Sequence, residues 1–205
     1  MGETIYNEGI TLYGASGHGK VVLDILEATG QRVGRVVDDN PPGDNFMGLP
    51  CSLPSADLDR AIITIGNCQI RKRIAEKMRV KEFVSAIHPS AIVSKYSSVG
   101  VGSVVMQGSI IQAGTSIGRH CIVNTNSSVD HDCKVGDFVH IASGATVCGI
   151  VEIGECSWIG AGAVVKQCIK IGKNCMIGVG AVIIRDVPDN AVVVGNPGRI
   201  IRMSQ

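Results

Sequence analysis

Aromatic side chains are scarce, with Trp, Tyr and Phe together only 3% of the 205 residues. That argues against a core built from interlocking large rings and favours thin layers of small and branched side chains. No stretch approaches the ~18 consecutive apolar residues of a membrane-spanning helix, so membrane insertion is not expected. The opening Met1-Gly-Glu-Thr-Ile lacks the charged start and apolar run of an export signal, and the expected location is the cytoplasm. Runs of Lys or Arg are also missing and the formal net charge is +1, which leaves no electrostatic argument for nucleic acid. The eight cysteines include no Cys-x-x-Cys pair and read as reduced core thiols. No His, Cys and carboxylate trio falls at ligand spacing, so no metal is expected.

What the chain has instead is glycine, 26 residues of it, and a period. From Ile87 to Ile183 every sixth residue is Ile or Val, 17 times in succession. Two positions before most of these sits a small residue, such as Ser103, Thr115, Cys133, Ala145, Ser157 or Ala181. Glycine often follows one position after, as at Gly118, Gly136, Gly154 and Gly172. A period of six is neither helix nor alternating strand and marks a repeat unit. Three hexapeptides closing a triangle give one coil of three short faces. The branched residue points inward, the small residue fits the crowded interior, and glycine or a polar residue turns the corner. At eighteen residues per coil and ~4.8 Å per layer, the repeat predicts about five coils in a prism roughly 25 Å long.

Ahead of the repeat, strands alternate with helices. Ile10 to Tyr13 reads as a strand running into Gly14-Ala-Ser-Gly17-His18-Gly19, followed by a helix from Lys20 to Ala28. Arg35 to Asp39 makes a second strand closing on paired acids. Ala61 to Ile65 makes a third, and Gly66-Asn67 leads into a helix over Gln69 to Met78. The pattern predicts a small parallel, Rossmann-like α/β domain over residues 1–82 and a coil with a terminal cap over residues 83–205. The turn is G-x-x-G-x-G, not the dinucleotide G-x-G-x-x-G, although a helix N-terminus there suits a phosphate. Its alternative is a tight turn that binds nothing.

One corner of the coil carries chemistry: Asp130-His131-Asp132, two residues past the inward Val129. One coil away, at offsets of eighteen, lie Ala113 and Gly149, which leaves room around the imidazole. Acyl transfer from a thioester needs a base titrating near the working pH, and His supplies one. Either Asp130 or Asp132 could hold a ring nitrogen. A backbone N–H at Gly149 could receive the oxyanion. The alternative is a solvated surface histidine. His88 and His120 read as structural.

Hexapeptide arrays of this kind resemble the left-handed parallel β-helix of the hexapeptide acyltransferases. The resemblance narrows with residues 13–19 (Tyr-Gly-Ala-Ser-Gly-His-Gly), Asp38-Asp39, Ile65-Gly66-Asn67 with Arg71, His131-Asp132 and Gly136-Asp-Phe-Val-His140. Together these are similar to the PglD/NeuD type of bacterial sugar acetyltransferase. The terminal Gly195-Asn-Pro-Gly-Arg199 resembles the cap of that superfamily, with Gly198 and Arg199 in place of its usual Ala-Lys. The resemblance implies a left-handed coil, a homotrimer and acetyl-CoA lying in a groove between neighbouring coils. His131 matches the family's catalytic base, and Asp132 takes the place of an acidic partner that is often Glu. His140 matches an acetyl-CoA contact, and Ala161 and Val179 fall on the groove. Ser16, Gly17, His18, Asp38 and Asp39, with Gly66 and Asn67, match the nucleotide-sugar side.

The implied activity is acetyl-CoA-dependent N-acetylation of the amino group of a nucleotide-linked 4-amino sugar. O-Acetylation of a sialic acid-type sugar would use the same base. A noncatalytic β-helix scaffold or sugar-nucleotide sensor would use none.

Overall fold

The computed structural model describes residues 9–203. The reading of residues 1–5 therefore lies outside the described residues. The N-terminal sheet contains β1 (Ile10–Tyr13), β2 (Val33–Val37), β3 (Asn45–Phe46), β4 (Leu49–Ser52), β5 (Asp57–Ile63) and β6 (Arg79–Phe83). Helix α1 (Gly17–Ala28) follows β1, and α2 (Cys68–Lys77) follows β5. Strand order is β3-β4-β2-β1-β5-β6, parallel except for the β3–β4 pair. The chain reverses its direction of growth between β1 and β5, the place where open α/β sheets hold ligands. The β3–β4 hairpin and β6 were not expected from the sequence. The hairpin is short, and the exposed residues of β6 hide its alternation.

Beyond β6 the chain enters the coil after only Val84 and Ser85. Val84 is buried, and the core beneath α1 runs on into Ala86, Val104, Met106 and Ile122 of the coil. The α/β unit is thus packed on the coil along one face.

The coil has three faces of two-residue parallel strands. One face holds six strands, another five, and the first holds eight because the terminal hairpin Ala191–Val194 and Arg199–Met203 extends it. His140–Ile141 and Trp158–Ile159 lie on the first face, Ser128–Val129 and Thr146–Val147 on the second, Lys134–Val135 and Glu152–Ile153 on the third. Partners are eighteen residues apart as far as Ile183, as Ile141 and Ile159 illustrate, and sixteen apart where the cap begins, as in Ile177 with Val193. Five coils are complete, and Val187 closes a sixth by bridging to Ile171.

The inward Ile/Val series is buried from Val105 to Ile183. The small slot does more than save space. Ser103, Thr115, Cys121, Cys133 and Ser157 each donate to a carbonyl fifteen residues further on, across the interior. That satisfies backbone oxygens which a dry core would otherwise strand. Not every thiol is in the core: Cys168 is exposed and Cys148 half-buried, and all eight are free.

The glycines after the inward residue do not turn the corners. A Cβ on Gly154 would lie 2.6 Å from the Gly172 backbone of the next coil, so close stacking selects glycine there. The positive-φ position falls two residues later, at Gly162 (φ 64°) or at His120 (φ 53°) and Asp132 (φ 58°). Among the described residues no helix is long and apolar enough to cross a membrane.

Truncating an inward side chain should cost far more than truncating its outward neighbour. Ile159→Ala, at a fully buried position, is expected to lose about 2–5 kcal/mol. Val164→Ala, on the outside, should change stability by less than about 1 kcal/mol. Urea denaturation of the two variants checks the difference.

Candidate active site

The His131 corner joins the second face to the third. Asp132 takes the left-handed conformation, which a short acidic side chain tolerates. Its Oδ2 lies 2.9 Å from His131 Nδ1. Asp130 Oδ1 instead accepts the His131 backbone N–H at 2.8 Å. The two acids thus divide the work, Asp132 orienting the ring and Asp130 fixing the main chain. A carboxylate accepts, so Nδ1 carries the proton and Nε2 of the neutral ring presents its lone pair. The ring rests over Gly149, where a Cβ would come within 2.7 Å of Nε2, and the Asp132 carboxylate leans over Gly114. The hydrogen bond to Asp132, together with the charge of Asp130, raises the His131 pKa above its ordinary value. About half of the His131 side chain is open to solvent.

A second group gathers at the C-terminal ends of β1, β2 and β5. Asp38 is fully engaged: Oδ2 accepts the Ala15 N–H at 2.7 Å and Oδ1 the Asn40 N–H at 2.9 Å. It clamps the glycine turn. Asp39 accepts the Tyr13 hydroxyl at 2.6 Å, and burial followed by that bond keeps the phenol protonated. Ser16 precedes α1 without capping it, and Gly17 has open space where a Cβ would project, so the first turn of α1 is accessible. His18 Nε2 is shielded from solvent and, among the described residues, has no hydrogen-bond partner. Burial, then the Arg71 charge, pushes its pKa down to about 4, so the ring is neutral. The Asn67 side chain caps α2 by accepting the Ile70 N–H at 3.0 Å. The Gly66 carbonyl accepts from Arg71 at 2.9 Å and from His140 Nδ1 at 3.3 Å.

His140 points outward from the first face as expected, yet it is only 5% exposed. The loop at residues 66–67 closes over it, a cover that the coil repeat alone cannot announce. Its Nδ1 donates to Gly66, its Nε2 lies 3.1 Å from Asn124 Nδ2, and its ring lies 4.3 Å from that of Trp158. Burial first, then Arg71, pushes its pKa down to about 3. Ala161 and Val179 stack at the corner between the first and second faces, above Ser143. The Gly162 and Gly180 N–H groups donate to the carbonyls of Ser143 and Ala161. Within one chain the second face separates this corner from His131, and His140 lies on the first face. Among the described residues no cluster of three His, Cys, Asp or Glu side chains suits a metal ion.

Four participants were not singled out in advance: Gly114, Asn124, Trp158 and the anchoring role of Arg71. Gly114 and Trp158 lie eighteen residues from Asp132 and His140, so offset arithmetic finds them. Arg71 has its own signal, since it falls on the same helix face as the buried Cys68 and Ile74.

The electrostatics predict distinct behaviour among the histidines. Ring signals followed by NMR across pH should place the His131 midpoint above the ordinary 6.5, and Asp132→Asn should lower it. His140, at about 3, and His120, at about 4, should remain neutral down to pH 5. A His131 midpoint unmoved by Asp132→Asn contradicts the orienting contact.

Known proteins carry both parts of this architecture. Residues 9–78 match the PglD N-terminal domain, and residues 114–149 and 150–185 match the bacterial transferase hexapeptide family of six repeats. Over 113 residues the chain is 37% identical to a UDP-N-acetylbacillosamine N-acetyltransferase of Bacillus subtilis (strain 168). That match takes in 48% of this chain and 51% of the relative, so it spans about half the length of that curated protein. A mutant perosamine N-acetyltransferase from Caulobacter crescentus, solved with CoA and GDP-perosamine, superposes with a TM-score of 0.89 at 33% identity, over 95% of this chain and 97% of its own. The acetyltransferase domain of PglB from Neisseria gonorrhoeae FA1090, in complex with acetyl coenzyme A, gives 0.86 at 37% identity, over 95% and 100%. With both parts in the same order and near-complete coverage, the chain belongs to the PglD-type family of hexapeptide-repeat sugar N-acetyltransferases.

Proposed function

We propose that this chain transfers the acetyl group of acetyl-CoA to the amino group of a nucleotide-linked 4-amino sugar, with His131 as general base. The observation that carries this reading is the His131–Asp132 pair: Nδ1 is held at 2.9 Å and Nε2 is free over a glycine on an open corner. The relatives support the two substrates, since one is solved with CoA and GDP-perosamine and another with acetyl coenzyme A.

In the step we propose, Nε2 takes a proton from the amine as its nitrogen attacks the thioester carbonyl. Asp132 stabilises the imidazolium. The tetrahedral oxyanion needs a donor, and the Gly149 N–H, which makes no backbone hydrogen bond among the described residues, supports that role. Collapse expels the CoA sulfur, which takes the proton back from His131, leaving an amide and a free thiol. Ser16, Gly17, His18, Asp39 and Gly66 are assigned to the nucleotide-sugar side. Asp38 and Asn67 serve it indirectly by holding the turn and the helix start.

A trimer is part of the proposal. His131 and the Ala161–Val179 corner lie at opposite edges of the second face, whose outward side carries Ile92, Ile110, Val164 and Val182. Ile92 is 63% exposed and Val179 81%. A threefold assembly that sets one protomer's His131 corner beside a neighbour's Ala161–Val179 corner would complete a coenzyme groove. His140, already bonded to Gly66, is assigned there to the junction with the coenzyme. The cytoplasm, where acetyl-CoA is available, is the setting this reading implies.

A thiol-release assay with acetyl-CoA against UDP-, GDP- and dTDP-linked 4-amino sugars tests the reaction. His131→Ala should lower the rate by about 10²–10⁴, and a wild-type rate in that variant excludes the mechanism. Because the base must be neutral, the raised His131 pKa puts the acid limb of kcat/KM above pH 6.5, and Asp132→Asn should shift that limb to lower pH. The product should survive mild hydroxylamine; loss of the acetyl group would mark an ester instead. Sedimentation should find activity only in the trimer, and an active monomer would remove the shared groove.

A further inference from the structure

Arg71 is 1% exposed and lies among the thiols of Cys68, Cys121 and Cys156, which, unlike a carboxylate, do not neutralise its charge. Among the described residues its side chain donates to four backbone carbonyls. Nη1 donates to Ile65 at 2.7 Å and Gly66 at 2.9 Å. Nε donates to His120 at 2.8 Å and Nη2 to Phe138 at 2.7 Å. His120 and Phe138 are eighteen residues apart, hence one above the other on successive coils, and both take positive φ, 53° and 61°. Their carbonyls are therefore separated by about one layer spacing of 4.8 Å. A planar fork spans that interval while its remaining arm holds the loop, whereas an ammonium is a point donor that cannot match all four oxygens.

We propose that Arg71 is a positioning residue for the nucleotide sugar: by gripping two coil corners and the carbonyls of residues 65–66 at once, it sets the binding loop of the α/β unit against the coil and His140. The proposal rests on the acetyltransferase reading for its substrate, though not for its geometry. Gly66 is the shared point, since its carbonyl accepts from both Arg71 and His140 Nδ1. The neighbouring Asn67 starts α2, so a shift of this loop moves both an N–H cradle and the cover of His140. Other contacts cross the same junction, Lys72 to Glu155 at 2.9 Å and Gln69 to Asn174 at 2.7 Å, but these lie at the surface and can rearrange.

The test compares Arg71→Lys, which keeps the charge and loses the fork, with Ile25→Val, a change in the α1 core chosen as a stability control. Two readouts are needed. In steady state, Arg71→Lys should raise KM for the nucleotide sugar at least tenfold while KM for acetyl-CoA moves less than threefold. The control should move neither. Equal rises in both KM values, or the same rise in the control, overturn the proposal. Hydrogen exchange on the full chain needs no turnover: the N–H groups of residues 70 and 71, both bonded to Asn67 of the loop, should lose protection in Arg71→Lys and keep it in Ile25→Val. Unchanged protection there overturns the proposal whatever the assay gives. If wild-type protein acetylates no sugar in the panel, the reaction reading fails alone and the exchange result still judges Arg71. If Arg71→Lys does not fold, Gln69→Ala with Lys72→Ala provides a folded comparison. Loss of protection at residues 70 and 71 in that surface pair would overturn the assignment to Arg71, and its retention would support it.

Discussion

Backbone pairing between coils is the constraint on which this molecule depends. A two-residue strand cannot satisfy its own polar groups, so each coil exists only because the next one, eighteen residues on, accepts and donates in register. The same register decides side chains. Glycine stands at position 154 because position 172 leaves no room for a Cβ, and His131 has its place because position 149 carries none. Structure and chemistry at the corner are the same packing problem, solved in one case by backbone against backbone and in the other by an imidazole against backbone.

Much of this was legible because the period is arithmetic. The inward Ile/Val series, the small slot, the exposed His131 corner and the Gly149 beneath its ring all follow from counting in sixes and eighteens. Counting did not distinguish Asp130 from Asp132, since that depends on which of the two adopts positive φ and turns its carboxylate to the ring. It misassigned the corner glycines, because close approach and positive φ both select glycine while occupying different positions. It could not foresee the burial of His140, which comes from a loop more than seventy residues earlier in the chain. The pairing of Asp38 with the Ala15 N–H is hidden for a similar reason: an acid at a strand end reads alike whether it faces a ligand or its own turn.

The junction between the two parts shows how a buried charge can be held by carbonyl oxygens. Taking a guanidinium out of water is costly, and a lone buried charge is usually tolerated only when paired or well hydrogen-bonded. Here four carbonyl dipoles do this, each a charge-assisted contact. The positive potential they leave behind bears on the rings nearby. His18, His120 and His140 are neutral first because they are buried, and the Arg71 charge adds to that. His131, on the open corner with a carboxylate at its ring, is shifted the other way, upward. The buried, neutral histidines are thus set apart from His131 on its open corner.

The three-sided path also limits how such a chain can change length. Six extra residues inserted between Phe138 and Trp158 would advance everything downstream by one face, turning it by a third of a revolution relative to the α/β unit. Residues that now share a corner would be dealt onto different sides, and Trp158 would no longer lie over His140. An insertion of eighteen would restore the faces at the expense of one added layer, whereas a number that is not a multiple of six would break the ladder outright. Drift in this part of the sequence is therefore quantised: substitutions can accumulate singly, but length can vary only by whole turns or in loops that leave the prism at a corner.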